Sequence, residues 1–263
     1  MSSEVPPRWI APFLLPFVPA YAAAVAWRNG RFDRGVGVQR VSPPVISVGN
    51  IVMGGTGKTP ICRWLAELAC EAGIRPAIAM RGYRSSATGI SDEAAEYAME
   101  IPNVPIAIGA DRIASIRRLD PAPDCVILDD GFQHRRLHRD LDLVLVDASR
   151  SGLDRSMIPA GPRRESLASL RRADAVIVTR AATSDPALAR DIERHHGRPP
   201  IAWTRHRWSG LDEHRGDARN PLPVSSLEGR PVFAVFGTGN PDSIRRSVMD
   251  AGTDLRGFRF LRD

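Results

Sequence analysis

A strand-like apolar run that leads directly into a glycine-rich turn constrains the fold of this chain more than any other segment. Val45–Val48 is apolar, Gly54, Gly55 and Gly57 supply the turn, and Lys58-Thr59-Pro60 opens a helical pattern. Glycines allow backbone N–H groups to close around phosphate oxygens, and the N-terminus of the following helix adds a positive dipole end. The segment therefore predicts a phosphate-binding loop between a buried strand and a helix.

The chain has a single lysine, Lys58, among its 36 basic residues, and all the others are arginine. Arginine carries a wide planar fork, whereas lysine carries a compact charge on a thin stem, so the two are not interchangeable in a narrow site. We predict that Lys58 reaches the β- and γ-phosphates of a nucleotide and that the Thr59 hydroxyl binds Mg²⁺. Val52 stands where the strict form of this loop has glycine, and the later glycines supply the flexibility instead.

Two acidic residues follow a second apolar run. Asp129 and Asp130 come directly after Cys125–Leu128 and precede Gly131. In an open parallel sheet the ligand site lies at the carboxyl ends of the strands, and one carboxylate there can hold the Mg²⁺ of a nucleotide. Asp-Asp-Gly is also ordinary turn chemistry. The phosphate loop upstream favours the metal-binding interpretation, with both aspartates as candidates.

Apolar runs and helical segments alternate after residue 40, and several runs are apolar on both faces, as buried parallel strands are. The predicted strands are Val45–Val48, Ala77–Met80, Cys125–Leu128, Leu143–Val146, Ala175–Val178, Ile201–Trp203 and Val232–Phe236. The predicted helices are Pro60–Ala72, Arg112–Leu119 and Pro186–His195, and residues 211–223 indicate a loop or linker. This pattern predicts an α/β fold with a mainly parallel sheet flanked by helices. We expect an N-terminal segment over 1–35, a nucleotide-binding core over 36–180 and a smaller, incomplete α/β part over 181–263.

Composition excludes several classes of protein. With 43% hydrophobic and 25% charged residues, the chain is neither disordered nor a polytopic membrane protein. Cys62, Cys70 and Cys125 form an odd set without a C-x-x-C pair, which argues against a disulfide framework or a zinc site and predicts three small buried side chains in a reducing compartment. The net charge of +6 favours anionic partners such as phosphate, nucleic acid or an acidic membrane surface.

The N-terminal region contains an uncharged run from Ile10 to Trp27, which Arg28, Arg31 and Arg34 follow. Three prolines interrupt its first half, and helix interiors resist proline, so a transmembrane span of this length is marginal. We expect a segment that lies on an anionic cytoplasmic surface. A true span, a cleaved signal peptide and a packed core helix are the alternatives, although a signal peptide would export the nucleotide site to a place without ATP.

Six motifs occur in an order that a known family shares. They are Val48-Gly-Asn-x-x-x-Gly-Gly-Thr-Gly-Lys-Thr-Pro60, Met80-Arg81-Gly82-Tyr83-Arg84, Ser91-Asp92-Glu93-Ala94, Asp129-Asp-Gly-Phe-Gln-His134, Pro159-Ala-Gly-Pro-Arg-Arg-Glu165 and Gly237-Thr238-Gly239-Asn240-Pro241. Together they cover nearly the whole chain. On these residues the sequence resembles the tetraacyldisaccharide 4′-kinases, the lipid A 4′-kinases of Gram-negative bacteria.

The resemblance implies ATP- and Mg²⁺-dependent phosphorylation of the 4′-hydroxyl of an acylated glucosamine disaccharide 1-phosphate lipid, which gives lipid IVA. It implies a monomeric enzyme, peripheral or held by a single N-terminal anchor, on the cytoplasmic face of the bacterial inner membrane. An anionic membrane surface is then a partner and nucleic acid is not. The surplus of arginine suits this surface, because each basic residue near it contributes about 1 kcal/mol.

The resemblance also assigns roles to residues. Asp92 matches the catalytic aspartate that would accept the substrate's hydroxyl proton, although its plainer role would be the N-cap of a helix. Glu93 joins Thr59, Asp129 and Asp130 as a metal candidate, and Arg81 is expected to line the site. The nucleotide-binding set comprises Val52, Met53, Gly54, Gly55, Thr56, Gly57, Lys58, Thr59, Arg164 and Glu165. A surface ion pair between Arg164 and Glu165 is the competing interpretation of those two residues.

Two departures from the family leave alternatives open. Ser91 and Ala94 replace glycine and proline around Asp92, and Phe258–Asp263 aligns with the family's Phe-x-Asp-His-His region without its histidines. The aspartate would then lack its histidine partner, which predicts MgATP binding with slow phosphoryl transfer, or an inactive homologue.

His195, His196 and His206 are the histidines that would have to serve in place of that partner. A membrane-associated nucleotide switch is the remaining alternative. That class expects lysine or arginine just before the loop glycines, where this chain has Met53. The kinase interpretation is therefore favoured over the switch.

Overall fold

The computed structural model describes residues 9–82, 92–205, 207–216, 218–236 and 241–261. These residues fall into two compact units that divide after Thr204. The larger unit contains both predicted nucleotide motifs. The smaller unit contains the charged segment after residue 210 and the last predicted strand.

Seven strands form the central sheet of the larger unit, in the spatial order β3-β2-β4-β1-β5-β6-β7, and all neighbours run parallel. Their bounds are β1, Val45–Gly49; β2, Pro76–Met80; β3, Ile106–Ile108; β4, Cys125–Asp129; β5, Leu141–Asp147; β6, Ala175–Thr179; and β7, Ala202–Trp203. Strands β2, β4 and β6 are buried at every residue. The predicted α/β fold with a parallel sheet is confirmed.

Two features of this sheet differ from the sequence prediction. Strand β3 was not predicted, because three residues at the sheet edge carry too little pattern to identify a strand. Strand β5 begins at Leu141 rather than Leu143, since Leu141 and Asp142 already pair with Ile46 and Ser47 of β1. Because Asp142 is charged, the apolar run that predicted the strand begins only at Leu143.

Helices lie between the strands, and the three predicted ones are present with ends shifted by one or two residues. The bounds in this unit are α1, Ala11–Leu14; α2, Val18–Asp33; α3, Lys58–Glu71; α4, Asp92–Glu100; α5, Arg112–Arg117; and α6, Pro186–His196, with 3-10 turns at Leu15–Phe17 and Leu167–Arg172. Helix α6 shows why the sequence folds in this way. Its N-cap Asp185 accepts the N–H groups of Ala187 and Leu188, and Gly197 ends it in the left-handed conformation.

Prolines divide the N-terminal apolar run into three helical pieces. Pro12, Pro16 and Pro19 each lie in the first turn of a piece, where the missing N–H would have had no partner. Within the described part of the chain, every helix is too short or too polar to cross a membrane. Helix α2 is joined to the core by the Tyr21 hydroxyl, which donates to the Arg164 carbonyl oxygen at 3.1 Å.

The smaller unit holds an antiparallel hairpin of β8 (Leu211–Arg215) and β9 (Ala218–Leu222), a 3-10 turn at Val224–Leu227, and a parallel pair formed by β10 (Pro231–Phe236) and β11 (Asp254–Phe260) with helix α7 (Pro241–Asp250). The prediction of a loop over residues 211–223 was therefore wrong. Charged residues and Pro221 interrupt the alternating pattern that identifies a strand, and both strands are mostly exposed.

The cysteines are free, as predicted, but only two of them are buried. Cys62 faces the core from helix α3 with Ile61 and Ala66, and Cys125 begins β4. Cys70 is exposed, so the prediction of three buried cysteines was wrong for this residue. It lies near the end of α3 on the outward side of an amphipathic helix.

Candidate active site

The predicted phosphate-binding loop connects the end of β1 to the start of helix α3, with Lys58 as the first helical residue. Gly54 and Gly57 have φ angles of 111° and 82°, in the region where only glycine is free of strain. Gly49 is required for a different reason, because a Cβ there would lie 2.5 Å from Cβ of Phe132. Glycine is thus needed where the loop turns and where the neighbouring segment approaches β1.

Buried polar contacts hold the loop in place. The Asn50 side chain is completely buried and donates to Oγ1 of Thr56 at 2.8 Å, which ties the two ends of the loop together. Val52 and Met53 are held by the backbone of Pro162–Arg163, to which Met53 N–H donates at 2.8 Å. Val52 is buried in an apolar cluster, so its side chain packs into the core and offers no hydroxyl to the loop.

Lys58 lies in a charge cluster that the sequence did not specify completely. Its Nζ is 3.5 Å from Oδ1 of Asp130, and Nη1 of Arg164 donates to both carboxylate oxygens of Asp130 at 2.9 and 2.8 Å. The same Arg164 nitrogen lies 3.2 Å from Oε1 of Gln133. Burial alone would raise the pKa of Asp130, but Lys58 and Arg164 hold it below its usual value. Asp130 is therefore ionised and orients both cations.

Asp129 is almost fully buried at the carboxyl end of β4. The Tyr97 hydroxyl lies 3.0 Å from its Oδ2 and 3.5 Å from the Thr59 carbonyl oxygen. Burial raises the pKa of Asp129, and Lys58 opposes that rise. Its Oδ1 has no hydrogen-bond partner among the described residues, which leaves one buried carboxylate oxygen available to a cation.

This donor set fits Mg²⁺, which keeps several waters and takes one or two protein oxygens beside the phosphates of its nucleotide. Thr59 and Asp129 would supply those oxygens. The described residues contain no cluster of three histidine, cysteine, aspartate or glutamate side chains, as a metal cage built by the protein alone would require. Asp130 is instead engaged by Lys58 and Arg164.

Helix α4 brings the third motif to this edge of the sheet. Tyr97 is buried on α4 beside Asp129, and Glu93 lies one turn earlier on the same helix face. Although part of Glu93 is exposed, desolvation of its carboxyl and the charge of Asp129 raise its pKa. Asp92 begins this helix, and its side chain lies outside the described residues. So do Tyr83, Arg84, Ser91, Gly237–Asn240 and His206.

Arg164 and Glu165 do not pair with each other, so the surface ion pair considered for them was wrong. Glu165 is 1% exposed, and its carboxylate accepts from Arg172 at 2.8 Å, from Gln133 at 3.0 Å and from Asn29 of helix α2 at 2.7 Å. Glu165 thus connects the N-terminal helix to the loop after β4. A direct contact of Glu165 with a nucleotide stays a prediction.

Several residues of this edge were missed by sequence reasoning. Asn50 and Gln133 lie inside quoted motifs, and their amide groups were a signal that could have been used. Thr179 ends β6 and Arg180 follows it, and they contact the loop carbonyls of Thr56 and Gly55, respectively. Only their position after an apolar run could have indicated them.

The histidines considered as replacements for the missing partner are placed as follows. His196 is buried on α6, with its ring nitrogens 3.0 Å from the carbonyl oxygens of Arg198 and Ala173. Its contacts are those of a structural residue. His195 precedes it and is half-buried. Arg81 directly follows β2 and is exposed.

Comparison with known proteins finds a matching family, similar sequences and a similar solved structure. The profile of the family described as "LpxK: Tetraacyldisaccharide-1-P 4'-kinase" matches residues 10–263. The tetraacyldisaccharide 4'-kinase of Geobacter metallireducens is 36% identical over 89% of this chain and 73% of its own length, and that of Anaeromyxobacter dehalogenans is 35% identical over 96% and 72%. The crystal structure of LpxK from Aquifex aeolicus in complex with ATP superposes with a TM-score of 0.69 at 28% identity, over 97% of this chain and 82% of that one.

Proposed function

This chain belongs to the tetraacyldisaccharide 4′-kinase family, and on that premise we propose that it transfers the γ-phosphoryl group of ATP to the 4′-hydroxyl of a tetraacylated glucosamine disaccharide 1-phosphate. The product is lipid IVA. The observation that carries the proposal is the cluster of Lys58, Asp130 and Arg164 at the mouth of the glycine loop. Phosphoryl transfer depends mainly on positioning and on electrostatic stabilisation, and this cluster supplies both.

In this proposal, some residues of the site bind the nucleotide and others take part in phosphoryl transfer. The loop from Val52 to Thr59 receives the β- and γ-phosphates, with Lys58 at the transferred group. Arg164 holds Asp130 so that its carboxylate keeps Lys58 aimed at the phosphates. Asp92 accepts the proton of the attacking 4′-hydroxyl, a role that rests on the resemblance of its motif.

Mg²⁺ offsets the charge of the nucleotide phosphates when it is bound, and Thr59 and Asp129 would hold it. The buried Oδ1 of Asp129 supports that assignment, because an unpaired carboxylate oxygen is costly unless a ligand compensates it. Glu93 stays a second metal candidate at the start of α4. Desolvation of the two carboxyl groups disfavours ionisation of Glu93 and Asp129, and a bound cation would reverse that preference.

The N-terminal helices supply the contact with the membrane in this proposal. Large apolar side chains on α1, the 3-10 turn and α2 are exposed, and Arg31 stacks over the ring of Trp27 at 5.4 Å. The exposed set comprises Phe13, Leu15, Phe17 and Trp27 on these elements and Trp9 just before α1. Apolar side chains beside arginines suit an anionic bilayer surface, here the cytoplasmic face of the inner membrane. The enzyme acts there as a monomer.

The proposed activity is tested with γ-labelled ATP and a tetraacyl disaccharide 1-phosphate in mixed micelles. Label should appear in the lipid, and a lipid already phosphorylated at the 4′ position should take up none. Asp92→Asn should slow transfer about 10²–10⁴-fold while ATP binding is retained. Phosphate release that is independent of the lipid would instead favour a nucleotide switch, and ATP binding without transfer would favour an inactive homologue.

The membrane contact is tested by sedimentation with anionic vesicles. Replacement of Phe13 and Phe17 by aspartate should release the protein into the supernatant, and high salt should weaken binding of the wild type. Phe233→Asp is the matched control, because Phe233 is equally exposed but lies in the smaller unit. Protein that stays in the pellet through carbonate washing would contradict the interfacial proposal.

A further inference from the structure

Two adjacent residues at the end of β6 contact the phosphate loop. Oγ1 of Thr179 donates to the Thr56 carbonyl oxygen at 2.7 Å, and Nη1 of Arg180 donates to the Gly55 carbonyl oxygen. Strand β5 lies between β1 and β6 in the sheet, so these contacts reach across a strand. Both threonines are almost fully buried. Consecutive loop carbonyl groups are therefore turned towards β6.

The direction of these carbonyl groups also fixes the direction of the neighbouring N–H groups. In a trans peptide the C=O and N–H groups of one planar unit point in opposite directions. The carbonyl of Gly55 shares its unit with the N–H of Thr56, and the carbonyl of Thr56 shares its unit with the N–H of Gly57. When both carbonyls face β6, both N–H groups face away from it. Backbone N–H groups of this kind are what a glycine loop offers to phosphate oxygens.

The position of Arg180 is itself fixed by a buried anchor. Arg180 pairs with Oδ2 of Asp147 at the end of β5, and Oδ1 of Asp147 accepts from the N–H and hydroxyl of Ser149 at 2.8 and 2.6 Å. Asp147 is 4% exposed. Asp147 thus compensates the guanidinium charge inside the protein. The contribution of Arg180 to the loop is therefore the N–H donor that it directs at the Gly55 carbonyl oxygen.

Two residues that contact the phosphate loop have a left-handed backbone conformation. Arg180 has a φ of 54°, and the other non-glycine residue with positive φ in the described ranges is Asp130, at 51°. Asp130 contacts Lys58 on one side of the loop, and Arg180 contacts Gly55 on the other. Left-handed conformations of non-glycine residues persist where surrounding contacts enforce them, often at functional sites. The two strained residues border the same loop.

We propose that Thr179 and Arg180 are positioning residues that set the direction of the Thr56 and Gly57 N–H groups, with Asp147 as the anchor of Arg180. The inference deepens the proposed function and rests on it, because the ligand concerned is the triphosphate of ATP. Thr179 and Arg180 act on nucleotide affinity. The acceptor hydroxyl and the transfer step do not depend on them.

The experiment measures MgATP binding by calorimetry without the lipid, and then KM for ATP and kcat with saturating lipid. Thr179→Val keeps the shape of the side chain and removes the donor, so the Kd and KM for ATP should rise about tenfold while kcat changes less than about threefold. Thr179→Ser keeps the hydroxyl and should bind ATP within about threefold of the wild type. Thr204→Val is the matched control, because its hydroxyl donates to the Val178 carbonyl oxygen instead.

Arg180→Met and Asp147→Asn test the second contact, and the Asp147 change leaves the loop contact atoms intact. Both should weaken ATP binding about three- to tenfold, with melting temperatures in the absence of nucleotide used to verify the fold. Unchanged ATP affinity in folded Thr179→Val and Arg180→Met would overturn the proposal. So would a loss confined to kcat. Failure of the wild type to bind MgATP would instead count against the proposed function.

Discussion

Two buried aspartate–arginine pairs lie at opposite ends of strand β5. At its start, Nη2 of Arg139 lies 2.6 Å from Oδ2 of Asp142, and at its end Arg180 pairs with Asp147. The four side chains are similarly buried, at 10% and 5% exposure for the first pair and 15% and 4% for the second. The two pairs therefore match in chemistry and burial but lie at opposite ends of the strand.

The pairs differ in what else they contact. Arg139 and Asp142 bind each other three residues apart, and Asp174 accepts the Asp142 N–H at 2.7 Å. Arg180 also reaches the carbonyl of Gly55 in the phosphate loop. Ligands of open parallel sheets bind at the carboxyl ends of the strands. On our proposal, one type of ion pair stabilises the fold at one edge of the sheet and shapes the ligand site at the other.

Replacement of Lys58, at the carboxyl ends of the strands, should have the largest effect, and this effect is on phosphoryl transfer. Lys58→Ala should reduce phosphoryl transfer about 10³-fold, because a preorganised charge at the transferred group is worth several kcal/mol. Lys58→Arg should fail almost as badly, since the wide guanidinium does not fit a glycine cradle built for a narrow cation. Lipid labelling with purified variants measures both effects.

The control for this prediction is thermal unfolding. Asp130 keeps its contact with Arg164 in both variants, so the melting temperature should stay close to that of the wild type. A large loss of stability in Lys58→Ala would mean that the carboxyl edge also supports the fold. Near-normal transfer by Lys58→Arg would contradict the steric argument.

The fold was predictable because the buried strands have a strong local signature. Strands β2, β4 and β6 are buried at every residue and consist mainly of apolar side chains on both faces, which is the pattern of a buried parallel strand. The hairpin of β8 and β9 was not predictable in this way. Its strands are held by backbone pairing between charged, exposed residues, which leaves no periodic trace in the sequence.

The site was predictable where one residue type is needed and unpredictable where contacts come from distant segments. Lys58 and the loop glycines can be identified from local sequence, since only they satisfy the local geometry. Arg180 is one of 35 arginines, and its contact with Gly55 exists only because β6 lies two strands from β1. Position in the folded sheet, and not residue type, gives it a role.

Breaking the Arg139–Asp142 pair at the opposite edge of the sheet should have the second-largest effect, and this effect is on stability. Arg139→Met leaves the Asp142 carboxylate buried without its cation, which should cost about 3 kcal/mol of unfolding free energy. The kcat and KM of the folded protein should not change. Urea unfolding and lipid labelling below the melting temperature measure the two quantities.

Replacing both partners by apolar residues of similar size, Arg139→Met with Asp142→Leu, should recover most of that stability. The double variant separates the cost of an unpaired charge from the loss of packing. A double variant that is no more stable than Arg139→Met would contradict the explanation. Reduced kcat in either variant would show that the two edges are coupled.

A smaller effect is expected from His134, which follows the carboxyl end of β4. Burial, together with Arg112, Arg136 and Arg139, lowers the pKa of this histidine to about 4. The unfolded chain therefore binds the proton at higher pH than the folded protein does, so stability should fall as pH decreases from about 6.5 to about 4. The loss should be about 2 kcal/mol after allowance for solvent screening of a partly exposed group.

Chemical unfolding of the wild type and of His134→Gln across this pH range measures the effect. Glutamine does not titrate, so the variant should lose less stability in acid than the wild type. Parallel curves for the two proteins would show that another group causes the pH dependence. The result extends the comparison between the two edges of the sheet, because it measures how much stability is lost in acid by burying a histidine near the ligand edge.

The smallest effect is expected from a third ion pair, Arg75 with Asp124, at the non-catalytic edge. These residues precede the neighbouring strands β2 and β4, and the pair is bidentate, with distances of 2.9 and 2.7 Å. Unlike Arg139–Asp142, it is exposed, at 62% and 43%. Exposed pairs contribute little, because solvent screens their attraction and the side chains lose freedom.

The contribution of Asp124 nevertheless has a defined dependence on pH. Hydrogen bonds from the side chain and backbone of Arg75 lower the pKa of Asp124 to about 2, below its ordinary value of 3.8. Its stabilising effect is therefore complete above pH 3.8 and is lost as the pH falls towards 2. Asp124→Asn should melt slightly below the wild type at pH 7 and at the same temperature at pH 2, provided both stay folded. A loss at pH 7 as large as that of Arg139→Met would mean that geometry, rather than burial, sets the strength of these pairs.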